Sequence, residues 1–520
     1  MSDTKVYTVP YKPDEAPKLG LVFNSIKGFS EDGKQHSEKR IKALFKKFKD
    51  EGVISKDSIL YDTRIFGYHQ AELVAEEFVK AQVDVILIFN SAFPNGYVFP
   101  VISMNPYLKS IPIIIAADEE PNKAIGSSEW ATNSICGNDM NNYVAKYIGR
   151  YARFLDGSLE KIEFQNELRI LLNVYHTVIR LRHDYLGRFG DAPGGFHSAS
   201  GDQLLYFKIF GTIVNTVDLL RVEQVYNSME TAGPKGTFAF TEQDIQSTIA
   251  EVKKGRLNLI SDPLVLYKGA RLYHTLRALI KAEGFTSAAF KCWPEITASP
   301  LHLTPCLSMG WALSIGDVTA FACESDWPSA VLQTIGTLLT GMPSALLDFV
   351  NWTPENKIIQ LGHCGIGIPC IMEPTDPKLL ERVMKDGRVS NELREEIMSG
   401  KIKVTDALIS HGVSREAGIN IGPTLIGQFK YGIKTGFNIV KTMEGKLKML
   451  VFTGESRPDT NRGILYSGTD IIVKNYKELY QLKREHGFPH HLAVAMGDIS
   501  QELKELCGFY GIDFISSGNL

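Results

Sequence analysis

Apolar residues in the first third of the chain fall into short unbroken runs, separated by stretches of helical period. Lys18–Phe23 (KLGLVF) stops at Asn24-Ser25, Val83–Phe89 (VDVILIF) stops at Asn90-Ser91, and Ile111–Ala117 (IPIIIAA) stops at Asp118. Between the first two, Ser37–Asp50 carries Ile41, Leu44, Phe45 and Phe48 on one helical face. Short strands without polar alternation, divided by amphipathic helices, predict a parallel sheet covered on both faces. Ligands approach such sheets at the loops after the strands, where Asn24, Asn90–Asn95 and Asp118 stand. Asp139–Leu155 reads as a helix leading to a boundary at Asp156-Gly157.

A second α/β pattern follows. Phe164–Arg182, Thr241–Lys254 and Pro263–Gly284 have helical period, and Tyr185–Gly195 reads as a strand entering a glycine-rich turn. Ala288–Cys292 and Val318–Glu324 are further strands, and Asp326–Leu339 a helix opened by Trp327-Pro328. After Thr340-Gly341 the pattern changes to strand-like segments divided by turns: Ser344–Val350, Lys357–Leu361, Phe429–Phe437, Lys446–Phe452 and His491–Met496, with a closing helix at Glu502–Tyr510. The predicted fold class is therefore α/β: two doubly wound parallel-sheet domains, residues 1–156 and 157–340, followed by a mixed, barrel-like β-rich C-terminal domain, residues 341–520. A length of 520 residues suits about three domains.

Composition narrows the function classes. The chain is 44% hydrophobic and 22% charged, with 56 basic against 59 acidic residues and a net charge of −3. That balance argues against nucleic acid or a membrane surface as partner. The amino-terminal stretch lacks the apolar core of a signal peptide, and no run is long enough to span a bilayer, so a cytoplasmic protein is expected. Seven scattered cysteines without a CxxC pair point to reduced thiols rather than a disulfide framework or cysteine zinc site. Gly187–Gly195 does not form GxGxxG and no Walker lysine pattern occurs, so no nucleotide cofactor is expected.

Four places carry candidate chemistry. Glu324 and Asp348 each end an apolar strand, and two such carboxylates converging from neighbouring strands suit a hard divalent ion. They equally suit acids that cap the following helices. His490-His491, ahead of an apolar strand, can complete such a site or simply form a loop. His363-Cys364-Gly365 ends another strand among glycines; the two side chains are expected to point apart, which disfavours a Cys–His nucleophile. Lys291–Glu295 (KCWPE) sets a charge, a ring and an acid at a strand end, as a polyol with one apolar face requires, or as a helix start does.

Taken together these segments resemble the L-fucose isomerase family and the related L-arabinose isomerases. The family motif (T/C)E-x-D, then LTG, then a strand ending in Asp, is matched by Cys323-Glu324-Ser325-Asp326, Leu339-Thr340-Gly341 and Leu347-Asp348. His491, followed by LAVAMG, matches the family's carboxy-terminal histidine ligand, whereas HCG at 363–365 and Glu295 depart from its pattern. The resemblance implies an aldose–ketose isomerase of carbohydrate catabolism working through a metal-stabilised cis-enediolate. Glu324, Asp348 and His491 would hold Mn²⁺, with Mg²⁺ or Co²⁺ as alternatives, and Glu324 and Asp348 would shuttle the proton. His363, Glu295, Trp293, Asn90 and Phe93 would contact the sugar, the last two at a neighbouring subunit's pocket. A trimer-based or hexameric homo-oligomer is implied. L-fucose, D-arabinose, L-arabinose or an anionic sugar such as a sulfonated hexose are the expected substrates, the last needing basic groups such as Lys291, Arg182 or Arg188. The competing expectations are a sugar-binding protein without catalysis and a metal-dependent hydrolase.

Overall fold

The computed structural model describes residues 16–120, 132–260, 262–298, 303–353, 355, 357–373, 381, 384–385, 391–401, 408–413, 420–458, 460 and 467–517. They form two compact units that part at residues 180/181.

The first unit is a parallel five-stranded sheet built from β1 (Leu19–Asn24), β2 (Ile59–Ile65), β3 (Val85–Asn90), β4 (Ile113–Asp118) and β5 (Arg153–Gly157), in the order β2-β1-β3-β4-β5. The three unbroken apolar runs are the three inner strands, buried at every position because helices cover both faces. The sequence pattern misses β2, an edge strand that is mostly half-buried or exposed (ILYDTRI), because it carries no apolar run. It also merges two elements after residue 139. The helix spans Ser134–Tyr147, Gly149 turns out of it at φ +67°, and β5 follows. A glycine in the left-handed region just past a helix is a stop signal.

The second unit contains β6 (Tyr185–Phe189), β7 (Ile213–Val217), a hairpin β8 (Glu230–Gly233) and β9 (Gly236–Ala239), then β10 (Leu257–Asn258), β11 (Ser287–Phe290) and β12 (Phe321–Ala322). Strands β12-β11-β6-β7 make a parallel sheet. The later strands are β13 (Ala345–Thr353), β14 (Ile358–His363), β15 (Leu408–Val413), β16 (Asn420–Gln428), β17 (Gly432–Lys441), β18 (Leu447–Ser456), β19 (Ser467–Ile472), β20 (His491–Met496) and β21 (Asp513–Ser516). Six of them, in the order β14-β13-β20-β17-β18-β19, pair antiparallel throughout. The Glu455–Ile472 pairing of β18 with β19 closes the ring into a barrel. β16 joins β19 in parallel, followed by β15 antiparallel to it and β10 parallel to β15, and β21 joins β18 in parallel. The α/β class with a mixed, barrel-like last part is thus as the residue pattern predicts.

Two boundaries differ from the sequence reading. Phe429–Phe437 is not one strand, since β16 ends at Gln428 and β17 starts at Gly432, whose φ of +108° breaks the run. Only Phe321–Ala322 of the 318–324 segment pairs, because the backbone turns sharply at Glu324.

The helix Trp327–Thr340 joins the parallel sheet to the barrel. It is buried at every position up to Leu339, against β11, β12, β17 and β20. Each large apolar side chain enclosed this way, Trp327, Leu332 and Ile335 among them, contributes roughly 1.5–3 kcal/mol. Gly341, left-handed at φ +71°, ends the helix and sends the chain into β13. This packing fixes the distance between the residues before the helix and those on β13 and β20. No helix among the described residues is long and apolar enough to cross a membrane.

Candidate metal centre

Glu324 and Ser325 follow β12 in a tight turn with φ of +57° and +55°. Left-handed backbone costs a non-glycine residue about 1–2 kcal/mol. The turn is held in place by its neighbours. Ser325 Oγ donates to the Gly190 carbonyl (2.8 Å) and accepts from Arg188 Nε (3.2 Å), and Asp326 N–H closes onto Cys323 O (3.0 Å). Asp326 then caps the helix through Ser329 N–H (3.0 Å) and accepts the Ser329 hydroxyl (2.7 Å).

His491 opens β20 and is cross-strand partner to Asp348 of β13, so their side chains share one face of the barrel wall. Its Nδ1 lies 2.7 Å from Asp326 Oδ2. A buried carboxylate accepting from Nδ1 assigns the proton there and leaves Nε2 facing the pocket. Nε2 is 3.0 Å from Glu324 Oε2 and 3.3 Å from Asp348 Oδ1. The other oxygen of Glu324, Oε1, accepts from Trp293 Nε1 (2.9 Å). Burial works against the Glu324 carboxylate. The adjoining His491 ring and the indole nevertheless hold it down to about 2. His491 is likewise disfavoured as a cation by burial, but Asp326, Glu324 and Asp348 outweigh this and raise it well above an ordinary imidazole.

Donor atoms of Glu324, His363 and His491 lie within 4.8 Å of one another, as do those of Asp348, His490 and His491. Two observations bear on a cation. Three carboxylates surround one imidazole in a largely buried place, a charge surplus that is costly without a counter-ion. Asp348 Oδ1 and His491 Nε2 are buried, face one another and lack a directed hydrogen-bond partner. Two carboxylates and one imidazole nitrogen fit a hard or borderline divalent ion.

His363, at the end of β14, differs in kind from His491. Its Nδ1 accepts from the Cys364 N–H (3.0 Å), so the neutral ring carries its proton on Nε2, which is buried without a partner. That atom is a donor awaiting an oxygen rather than a lone pair awaiting a metal. The expectation that His363 and Cys364 point apart is wrong. Cys364 Sγ lies 3.4 Å from His363 Nδ1, because β14 stops at His363 and the chain turns. No nucleophile results, since the hydrogen bond to Cys306 pushes the Cys364 thiol up. All seven cysteines are free.

The remaining predicted site residues are spread out. Glu295 is more than half exposed and meets Lys291 Nζ at 2.6 Å. His490 is half-exposed, 3.8 Å from Asp348. Asn90 and Phe93 belong to the first unit, where Asn90 is fully buried with its amide donating to Asn138, and Phe93 stacks on Phe29 (6.0 Å between centroids). Two residues escape sequence reasoning. Asp326 enters the sequence reading only as the last residue of the matched (T/C)E-x-D motif, with no role given to it, although its carboxylate both caps the helix and orients His491. Phe196, after Gly194-Gly195, sets its ring edge-on to Trp293 (5.2 Å) and near His490 (6.0 Å), an apolar wall that no motif announces.

The chain is 23% identical over 445 residues to a sulfoquinovose isomerase of Alkalicoccus urumqiensis, covering 84% of this chain and 87% of that one. It is 23% identical over 344 residues to a sulfoquinovose isomerase of Clostridium sp. (strain MSTE9), covering 64% of each. No protein-family model matches the chain.

Proposed function

We propose that this protein is a divalent-metal-dependent aldose–ketose isomerase acting on a sulfonated aldose. The observation that carries the reading is that Glu324 and Asp348, from separate segments, each approach the buried Nε2 of His491, at 3.0 and 3.3 Å. The two relatives, both named as sulfoquinovose isomerases, supply the sulfonated sugar. The likeness to L-fucose isomerases read from Glu324, Leu339-Thr340-Gly341, Asp348 and His491 supplies the reaction type independently.

Glu324, Asp348 and His491 would hold the ion, Mn²⁺ on the strength of the donor set, with Mg²⁺ or Co²⁺ as alternatives. When bound, such an ion supplies a Lewis acid for two neighbouring oxygens of an open-chain sugar. The chain's own groups do the rest. Glu324 and Asp348 pass a proton from C2 to C1 while the hydroxyl proton moves from O2 to O1, so atoms balance and no redox cofactor is consumed. Trp293 engages Glu324 Oε1, which keeps Oε2 turned toward His491 and the pocket. His363 Nε2–H donates to a sugar oxygen, and Trp293 with Phe196 lines the apolar face of the carbon chain. The reading extends to a cytoplasmic homo-oligomer, trimer-based or hexameric, in which Phe93, on the loop that the buried Asn90 anchors, serves a neighbouring copy's pocket.

The test is to strip the purified protein with EDTA and assay ketose formation from sulfonated and neutral aldoses, with and without Mn²⁺. Ketose formed from a sulfonated aldose only after Mn²⁺ is added is expected. No ketose from any aldose in the presence of Mn²⁺ would sink the reading.

A further inference from the structure

The carboxyl end of the parallel sheet in the second unit holds two cations that the proton transfer does not use. Arg188, on β6, is 7% exposed, and Lys291, just past β11, has a side chain 12% exposed. Arg188 pairs with Ala289 across the two strands, and Lys291 N–H donates to Phe189 O (2.9 Å). The register therefore sends the Arg188 and Lys291 side chains to the same face of the sheet. A Cβ placed on Gly190 would come within 3.0 Å of Lys291 Cβ, as that register requires. Arg182, the third basic residue singled out in the sequence, precedes β6 at the opposite end of the strand and lies over the Phe509 ring.

Both cations adjoin the candidate metal centre through bonded neighbours. Arg188 Nε donates to Ser325 Oγ, the residue after Glu324. Lys291 lies two residues before Trp293, whose indole donates to Glu324. Their present acids are local and wet: Asp191 (75% exposed) on Arg188, and Glu295 (52% exposed) on Lys291 at 2.6 Å. In both pairs the acid is exposed, so it can turn into water when another anion takes its place at the cation. The cations themselves are enclosed, so an anion brought to them feels little screening. Arg188 Nη1 makes no hydrogen bond among the described residues, whereas Nη2 reaches Asp191 and the Ser200 hydroxyl (3.3 Å).

We propose that Arg188 and Lys291 form the subsite for the substrate's anionic group, a sulfonate, and that Asp191 and Glu295 occupy these cations until it arrives. The inference rests on the isomerase reading above. A sulfonate carries one negative charge over three oxygens that only accept, and it stays ionised at neutral pH. A guanidinium fork, an ammonium and a serine hydroxyl are its natural complement.

The experiment is steady-state kinetics on the Mn²⁺-loaded enzyme with a sulfonated aldose, paired with calorimetric Mn²⁺ titration. Lys291→Gln is expected to lower kcat/KM about 10- to 100-fold, through KM, with Mn²⁺ affinity held. Glu295→Gln is expected to lower KM several-fold by removing the competing acid. A bare ion-pair role for Lys291 in packing predicts parallel effects of the two substitutions, because each breaks the same pair. Opposite signs therefore identify the subsite. Unaltered KM in both variants, while the wild type turns the sulfonated aldose over, overturns the subsite and leaves the isomerase reading standing. A wild-type enzyme inert toward every sulfonated aldose but active on neutral ones overturns the sulfonated-sugar reading itself. Arg188→Lys adds a second arm, since it keeps the charge but loses the fork, and a KM rise is expected there too.

Discussion

The strand ends of the first unit and the pocket around His491 are built alike yet differ in what is left unpaired. In both, polar residues come directly after buried apolar strands. In the first unit they are largely amides and hydroxyls that satisfy one another. Asn24 Oδ1 accepts from Asn95 N–H (2.9 Å) while its Nδ2 donates to Asn95 O (3.3 Å), and Asn90 donates to Asn138, which donates to Asp156. Of the acids there, Asp118 meets Arg40 at 2.8 Å and Asp156 accepts from Asn138. Ser25 Oγ, Ser91 Oγ and Asn90 Oδ1 have no partner, but they are neutral, and a single water can serve each. The His491 pocket instead gathers three carboxylates around one ring. A polar strand end is therefore weak evidence of a ligand, whereas unbalanced charge in a buried place is stronger evidence, because a proton, a further ion or a charged substrate has to offset its cost.

The largest test of that contrast removes the charge without the shape. Glu324→Gln or Asp348→Asn is expected to lower turnover about 10³-fold or more, with circular dichroism showing the fold retained. For Glu324→Gln a lower Tm at neutral pH is expected, because the carboxylate held down to about 2 stabilises the folded state when ionised. A variant that keeps full activity sinks the assignment of that residue.

Next in size is Asp326. Asn is as good a helix cap as Asp, so Asp326→Asn leaves the Trp327–Thr340 helix intact while weakening the carboxylate's hold on His491 Nδ1. Outer-shell partners of this kind are worth 10- to 100-fold in metal affinity or activity. Mn²⁺ titration by calorimetry should register a loss in that range. Unchanged Mn²⁺ affinity would mean that Asp326 does no more than cap. Smaller again is His363→Gln. If Nε2–H is a donor to substrate, KM rises about 10-fold and Mn²⁺ affinity stays; if the ring is a metal ligand, the affinity falls.

How much of this is legible in the sequence depends on how local the cause is. Buried inner strands announce themselves because every side chain must be apolar, and β1, β3, β4 and β20 all do. β2 and β5 do not, since an edge strand faces water and its side chains are free to vary. Glu324, Asp348 and His491 stand out as polar residues bounding apolar runs, but their distances from one another depend on the β13–β20 pairing and on the Trp327–Thr340 helix packed against both strands, which no local pattern contains. The left-handed turn at Glu324–Ser325 is equally hidden, because neither residue is the glycine that such backbone usually calls for. What holds it is a guanidinium from β6, more than 130 residues earlier in the chain.

The smallest effect tests the first unit on its own terms. Asn24→Ala removes both bonds to the Asn95 main chain at the edge of the loop that carries Asn90 and Phe93. Asn95 is only half-buried, so water can take over its N–H and carbonyl, and the loss in unfolding free energy should be about 1 kcal/mol rather than the larger cost of a sealed cavity. Denaturant titration of the variant measures it. Mn²⁺ affinity is expected to hold, because this residue's bonds stay within its own unit. The informative quantity is KM. An unmoved KM keeps the amide network purely structural, as its mutual pairing suggests. A raised KM at constant Mn²⁺ affinity makes the loop from Asn90 to Asn95 part of substrate handling in an assembled oligomer, and the two regions would then differ in ligand, metal against sugar, rather than in having one.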